Sequence, residues 1–313
     1  MASDRATGRG GLRRRLTLAF LLAGLVPAAA GGVLGIRQSL QTAQAARLQS
    51  EERLIALSAQ AVAATLKSGL HIVLAAGEEG GMRQAILAGD RERLWAEVRS
   101  TQHHSLGFSS VLVLDTKGTV LANSLDPGVV GQDLRERDYF QNVMRTRGPY
   151  ISPVPYIGAA TRVPSLAVAA PIWGPGRDLV GIVAGSFALE HLSQLLAPAR
   201  VRGAGGLEQG QVYLVSPSGL ILAHTDPSRR ATQAIEADAG SRAVLVGRRG
   251  TITWMDESRE TQISIFAPLP EIGWGLVYTH PYPAWLAAVP DVFPELLPAL
   301  TVVLALSAVA GSL

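Results

Sequence analysis

The chain has 313 residues, of which 48% are apolar and only 17% charged, with a formal charge of +3 and no cysteine. That length serves one large domain or two modest ones. The small charge, with basic runs no longer than Arg13–Arg15 and Arg248–Arg249, excludes the concentrated basic face that a nucleic-acid partner needs. The absence of cysteine excludes disulfides, thiolate metal sites and a cysteine nucleophile, and it suits an oxidising compartment without proving one.

Leu16–Ile36 is uncharged, and as a helix it would span roughly the 30 Å hydrocarbon core of a bilayer. Arg13, Arg14 and Arg15 precede it, which places residues 1–15 in the cytoplasm. A cleaved signal peptide is the rival reading, because Ala28–Ala30 before Gly31 resembles a cleavage site. The apolar run continues through Val33, Leu34 and Ile36, beyond a usual signal core, and favours an uncleaved anchor. From Arg37 the pattern becomes helical. Leu54, Leu57, Ala61, Leu66, Leu70, Val73 and Leu74 recur at helical spacing, as in a stalk helix that also packs on a domain, and a shorter helical region follows over Met82–Val98. Residues 37–104 form this helical part.

Strand patterns follow. Ser110–Asp115, a turn at Thr116–Gly118 and Thr119–Asn123 read as a hairpin, and a helix is expected over Asp138–Arg145. Strands are expected over Ser165–Ile172 and Leu179–Phe187 around Gly174–Gly176, then a helix over Leu189–Leu196. The hairpin pattern returns at Val212–Ser216, Pro217–Gly219 and Leu220–His224. Gly118 matches Gly219, Leu121 matches Leu222, Ala122 matches Ala223, and Asp126-Pro127 and Asp226-Pro227 close the two segments. Such a repeat implies two similar modules in series, at residues 105–200 and 211–293, joined by a Gly-rich linker at 201–210. Further strands are expected over Gly250–Met255, Gln262–Ala267 and Gly273–Thr279. The uncharged run Leu296–Leu313 reads as a second membrane segment, with a buried terminal helix as its alternative, and an ending of this kind points to a longer protein continuing in the cytoplasm. The fold class is α/β (α+β): a long N-terminal stalk helix and two tandem antiparallel-sheet modules between two membrane helices.

Taken in order, the long helix, Val111–Asp115, Gly131–Leu134 leading into Arg137–Phe140, Tyr150–Pro153, Ala170–Ile172, Gly181–Gly185 and Ile272–Trp274 resemble the double Cache family of bacterial sensor domains. The resemblance covers nearly all of residues 37–293. It implies two PAS-like modules outside the cytoplasm, a small molecule bound in the membrane-distal one, and signalling by helix shifts at the membrane of a bacterial receptor. The cytoplasmic output of such a receptor, a kinase or cyclase for example, is not visible in this chain.

Arg137, Tyr139 and Phe140 form the candidate pocket motif. A guanidinium fork can hold a carboxylate through two parallel hydrogen bonds, and the aromatic rings offer apolar walls. The alternative is a structural salt bridge from Arg137 to Asp133 or Glu136, with the rings in the core. In the family, the following segment, here with Tyr150, Ser152, Tyr156, Thr161 and Arg162, covers the pocket. The resemblance further implies that relatives binding amino acids carry an aspartate near the end of the last strand of this module. Ser186 stands at that position, and Tyr139 stands where the family has tryptophan. A neutral hydroxyl balances an ammonium group poorly, so a small carboxylate without an amine is the expected ligand.

No phosphate-binding Gly-Lys-Ser loop, nucleophile elbow or His-Glu-x-x-His pair occurs. His103 and His104, the only close pair among six histidines, point about 100° apart on a helix and read as a solvated helix end, and His224 reads as structural. No catalytic residue, metal or cofactor is therefore expected. The expected partners are a small organic ligand, the cell membrane with residues 37–293 extracytoplasmic, and a second copy in a homodimer. A membrane-anchored extracytoplasmic enzyme and a ligand-free protein-interaction module are the competing classes.

Overall fold

The computed structural model describes residues 7–105, 107–196, 210–229 and 238–283, with backbone alone over 7–30. The chain divides into two units, Met1–Ser50 with Leu286–Leu313, and Glu51–Trp285. Helix α1, Thr7–Glu78, supplies the described residues of the first unit and opens the second. The expected segment Leu16–Ile36 lies on α1, while Leu296–Leu313 and residues 201–209 lie outside the described residues. Among the described residues, α1 is the one helix long and apolar enough to cross a membrane.

Within the second unit, α1 buries Ile55, Ala59, Val62, Leu66 and Val73, at steps of three, four or seven residues along one face. Leu66 and Val73 were expected there, but Leu57 is 61% exposed and Ala61 is also exposed. A Cβ at Gly69 would lie 2.6 Å from the Phe187 ring, and one at Gly77 would lie 2.7 Å from the carbonyl oxygen of Pro171. Gly69 and Gly77 let α1 approach the sheet closely, Leu54, Leu70 and Leu74 are half-buried, and Leu57 and Ala61 lie outside the packed face. The shorter helical region is two helices, α2 (Gly81–Ala88) and α3 (Arg91–His103). Gly89 ends α2 in the left-handed conformation, and Asp90 caps α3 by accepting the Arg93 N–H at 3.0 Å.

The first sheet contains β1 (Ser110–Leu114), β2 (Val120–Asn123), β3 (Tyr150–Ile151), β4 (Tyr156–Ile157), β5 (Pro164–Trp173) and β6 (Leu179–Ala188). Its order is β2-β1-β6-β5-β3, with β4 also on β5, and every pairing is antiparallel. Side chains alternate between faces. Leu112, Leu114, Ala167, Ala169, Ile182 and Ala184 face a core closed by α4 (Asp138–Thr146), which contributes Tyr139, Phe140 and Val143. Val183 and Phe187 on the other face meet α1 at Gly77 and Gly69.

Helix α5 (Leu189–Leu195) precedes the second sheet: β7 (Gln211–Val215), β8 (Ile221–His224), β9 (Gly250–Met255), β10 (Thr261–Leu269) and β11 (Trp274–Pro281), in the order β8-β7-β11-β10-β9. The order repeats that of the first sheet, and the internal repeat is structural in detail. Gly118 and Gly219 both adopt positive φ, 91° and 89°, in the turns between paired strands. Register irregularities fall at Val113/Leu114 and at Leu214/Val215. Asn123 Oδ1 accepts the Asp126 N–H, and His224 Nδ1 accepts the Asp226 N–H. A short helix, α6 (Ala239–Leu245), covers one face of the second sheet with Ala243 and Val244 against Tyr213, Val215, Phe266 and Val277.

Candidate ligand-binding site

The first module places a connected group of polar and aromatic side chains between its sheet and α4. Three alanines, Ala167, Ala169 and Ala184, lie in the same core as Tyr139 and Phe140, with Tyr150 and Tyr156 packed against it. Arg137 is the residue immediately before α4, with extended backbone and no capping bond from its side chain, so its guanidinium reaches across the module. Its Nη2 donates to Ile157 O at 3.1 Å, and its Cζ lies 4.9 Å from the centre of the Tyr156 ring. The Tyr156 ring stands 5.6 Å from that of Tyr139, which is 1% exposed. The Tyr156 hydroxyl meets Ser186 Oγ at 2.6 Å. Arg137, Tyr139, Tyr156 and Ser186, 49 positions apart at the extremes, thus form one contact chain.

The salt-bridge alternative for Arg137 is not what the structure adopts. Asp133 Oδ2 pairs with Arg135 Nε at 2.7 Å, which lowers the pKa of Asp133, and among the described residues Arg137 makes no ion pair.

Asp138 binds the covering segment to α4. Ser152 Oγ donates to Asp138 Oδ2 at 2.6 Å and accepts the Val154 N–H at 3.2 Å. Burial, followed by the Asp138 charge and hydrogen bond, raises the pKa of Tyr150. Sequence reasoning missed this role, because any acid in a first helical turn suits the helix dipole and nothing local names its partner. Thr161 lies in the turn between β4 and β5 with a buried Oγ1 that has no hydrogen-bond partner among the described residues, and Gly158 leaves the space it occupies, since a Cβ there would fall 2.1 Å from that oxygen. Phe140 packs in the core beside Val143, and Arg162 is exposed at φ 58° in the same turn. The structure therefore brings Arg137, Tyr139, Tyr156 and Ser186 together, adds Tyr150 and Ser152 through Asp138, and leaves Arg162 at the surface.

Burial raises the pKa of Tyr139 above the ordinary phenol range and pushes that of Tyr156 up to about 12, against the opposing Ser186 bond and Arg137 charge. The unfolded chain ionises its phenols near pH 10, so the folded state holds these protons over a range where the unfolded state has lost them. Stability is expected to be full below about pH 10 and to fall as pH rises toward about 12. Ultraviolet titration of the phenols alongside melting curves checks this. Ionisation of all the tyrosines near pH 10 without unfolding would show the two rings to be solvated.

The equivalent region of the second module is built differently. By register, Thr279 corresponds to Ser186 and Ser264 to Ala167, and Asp238 precedes α6 as Arg137 precedes α4. The Asp238 carboxylate accepts the Gly240 N–H at 2.8 Å, the Ser241 N–H at 3.3 Å, Ser241 Oγ at 2.8 Å and Ser264 Oγ at 3.4 Å. Ser264 Oγ also meets Thr279 Oγ1 and Trp254 Nε1, each at 2.8 Å. Burial raises the pKa of Asp238 despite these bonds. All the acceptor positions of this carboxylate are taken by its own module, whereas the Arg137 guanidinium has most of its five donors unspent.

This architecture, with one sheet order used twice behind a long N-terminal helix, matches a known family. The Cache domain profile, in its double form dCache_1, matches residues 36–289. The chain belongs to the double Cache family. Such domains are ligand-binding sensor modules rather than enzymes, and the fold is shared by solved receptor domains. The sensory domain of the Campylobacter jejuni chemoreceptor Tlp3, with isoleucine bound, is 12% identical and covers 80% of this chain and 98% of its own, with a TM-score of 0.61. The ligand-binding domain of the Pseudomonas fluorescens chemoreceptor CtaA, in complex with L-isoleucine, is 16% identical and covers 76% and 95%, with a TM-score of 0.55. An extracellular ligand binding receptor from Desulfohalobium retbaense is 14% identical over 72% of this chain, with a TM-score of 0.56, and the chain spans 39% of that receptor's length. No curated protein sequence gives a significant match.

Proposed function

We propose that this double Cache chain is the extracytoplasmic sensor region of a receptor in a bacterial cell membrane, and that its first, membrane-distal module binds a small organic carboxylate. The observation that carries the reading is the Arg137 guanidinium. It is held over the Tyr156 ring, bonded to one backbone carbonyl and without a carboxylate partner among the described residues. A ligand carboxylate would take the unspent donors as a bidentate pair. The amino acids in the compared receptor domains make an α-amino acid the competing ligand. Here its ammonium group would meet the Ser186 hydroxyl, which carries no charge and already bonds Tyr156.

Binding at this place would reach α1 through one strand. Ser186 points toward the ligand side of β6, and its neighbour Phe187 packs on α1 at Gly69. A ligand that favours one packing of Tyr156 and β6 shifts the population of α1 positions, provided that it binds the two packings with different affinity. The exposed Leu57 face of α1 suits a second copy of the stalk in a homodimer.

Isothermal titration of the full chain in detergent against amino acids and against small mono- and dicarboxylates tests the ligand class. Saturable heat from carboxylates lacking an amine is the expected result. Tight binding of an amino acid with no response to any simple organic acid would refute it.

A further inference from the structure

We propose that the tip of the first module holds a second ligand site, independent of Arg137, for a small organic molecule with two acidic groups. A cleft of about 610 Å³ opens there between the end of α1, the start of α2 and the β5–β6 turn, with Glu78, Arg83, Trp173 and Arg177 on its walls. On β5, Trp173 is six residues from Ala167, the partner of Ser186, or roughly 20 Å along the strand. The cleft also lies at the α1 end of the module, where Gly77 comes against the Pro171 carbonyl. The two sites share no residue.

The walls are placed by specific backbone features. Gly80 has φ 85°, a conformation that favours glycine, and the Arg83 guanidinium lies against it, 2.7 Å from where a Cβ would be. Arg177 sits at φ 59° in the hairpin turn, held by its N–H to Gly174 O at 3.1 Å and by Gly174 N–H to Asp178 O at 2.7 Å. Asp178 lies on the rim of that turn, its Oδ1 2.5 Å from where a Gly174 Cβ would be. The half-buried Trp173 indole stands beside the turn, at the end of β5.

The charges are close in the fold yet unspent. Among the described residues neither Arg83 nor Arg177 makes an ion pair or side-chain hydrogen bond, although Glu78 shares the cleft and Asp178 is nearby. Two guanidinium groups lining one cleft suit two acidic groups on one molecule, with the indole in the same cleft available to its carbon chain. Glu78 leaves room for an amine on that molecule, so a plain dicarboxylate and an acidic amino acid share the recognised chemistry.

The test is titration with succinate and with glutamate, acetate being the single-acid control, of the full chain in detergent carrying Arg137→Ala, so that carboxylates held at the first site do not contribute. Saturable binding is expected for one or both diacids and at least tenfold weaker binding for acetate. Arg83→Ala and Arg177→Ala are each expected to weaken diacid binding at least tenfold, with melting curves unchanged because both side chains reach solvent. Diacid binding is expected to persist in this Arg137→Ala chain, and Trp173→Phe added to it is expected to remove the ligand-dependent change in tryptophan emission. Stronger succinate than glutamate binding assigns a plain diacid, and the reverse assigns an amino diacid. The proposal is overturned if diacid binding to the Arg137→Ala chain survives the further substitutions Arg83→Ala and Arg177→Ala, or if the Arg137→Ala chain shows no saturable binding in the millimolar range. Because the arms use different arginines, failure here and failure of the Arg137 site are told apart.

Discussion

Arg137→Ala is expected to weaken carboxylate binding in the first module about a hundredfold while leaving the melting temperature within a degree or two. Hydrogen bonds to charged groups contribute about 1.5–3 kcal/mol each, and a bidentate pair would supply two. The loss of about 3 kcal/mol is roughly two powers of ten in affinity. The stability change is small because Arg137 is half-buried and its side chain makes one hydrogen bond, to Ile157 O, besides its contact with the Tyr156 face. Arg137→Lys keeps the charge but not the fork, and an intermediate loss is expected. Calorimetric titration with the best carboxylate, alongside circular dichroism melts of the same preparations, reads both quantities. Affinity within threefold of the parent would place the anion elsewhere. A fall of many degrees in melting temperature would make Arg137 a structural residue.

Gly77→Val is expected to destabilise the second unit by about 2–3 kcal/mol and to lower its melting temperature by about 5–10 °C. The Cβ of any substituent would fall 2.7 Å from the Pro171 carbonyl oxygen. That oxygen belongs to the backbone of a central strand paired to β6, so it cannot swing aside as a side chain tip would. Relief requires α1 to move off the sheet at its far end. Gly77→Ala meets the same clash with less bulk and gains about 1 kcal/mol of helix propensity, so a smaller loss is expected. The same displacement bears on signalling, because α1 is the element through which a change at β6 would leave the domain. A Gly77→Val protein that binds ligand with altered affinity would tie the packing of α1 to the state of the site. Unchanged melting would show that α1 yields there without cost.

Much of the architecture was legible in the chain itself. Branched apolar runs separated by Gly turns located the long strands to within one or two residues, because alternation and turn chemistry are local properties of the backbone. The hairpin repeat predicted two modules of one kind, and the sheet orders agree. Other elements were not legible. Strands β3 and β4 are two residues each, set among Pro149, Pro153 and Pro155, and they exist only through pairing with β5. Helix α6 has seven residues and no periodic stripe long enough to read. The packed face of α1 was legible in part: Leu66 and Val73 are buried as expected, whereas the close approaches at Gly69 and Gly77 leave no hydrophobic signal in the sequence.

The candidate site divides in the same way. Arg137 and its aromatic neighbours stand together in the sequence, and a guanidinium next to rings is a recognisable anion motif. That this guanidinium has no carboxylate partner among the described residues was decided only in three dimensions, where Asp133 bonds Arg135 instead. The same holds for Tyr156 meeting Ser186 across 30 positions, for the Asp138 link to Ser152, and for the internally satisfied Asp238 of the second module. The order of elements, the repeat and the chemical character of the motif were determined by the sequence alone, since each is set by neighbours along the chain. Which charges are spent, which faces close and where a cleft remains were decided by the tertiary structure, because those depend on distances between residues that no local pattern encodes.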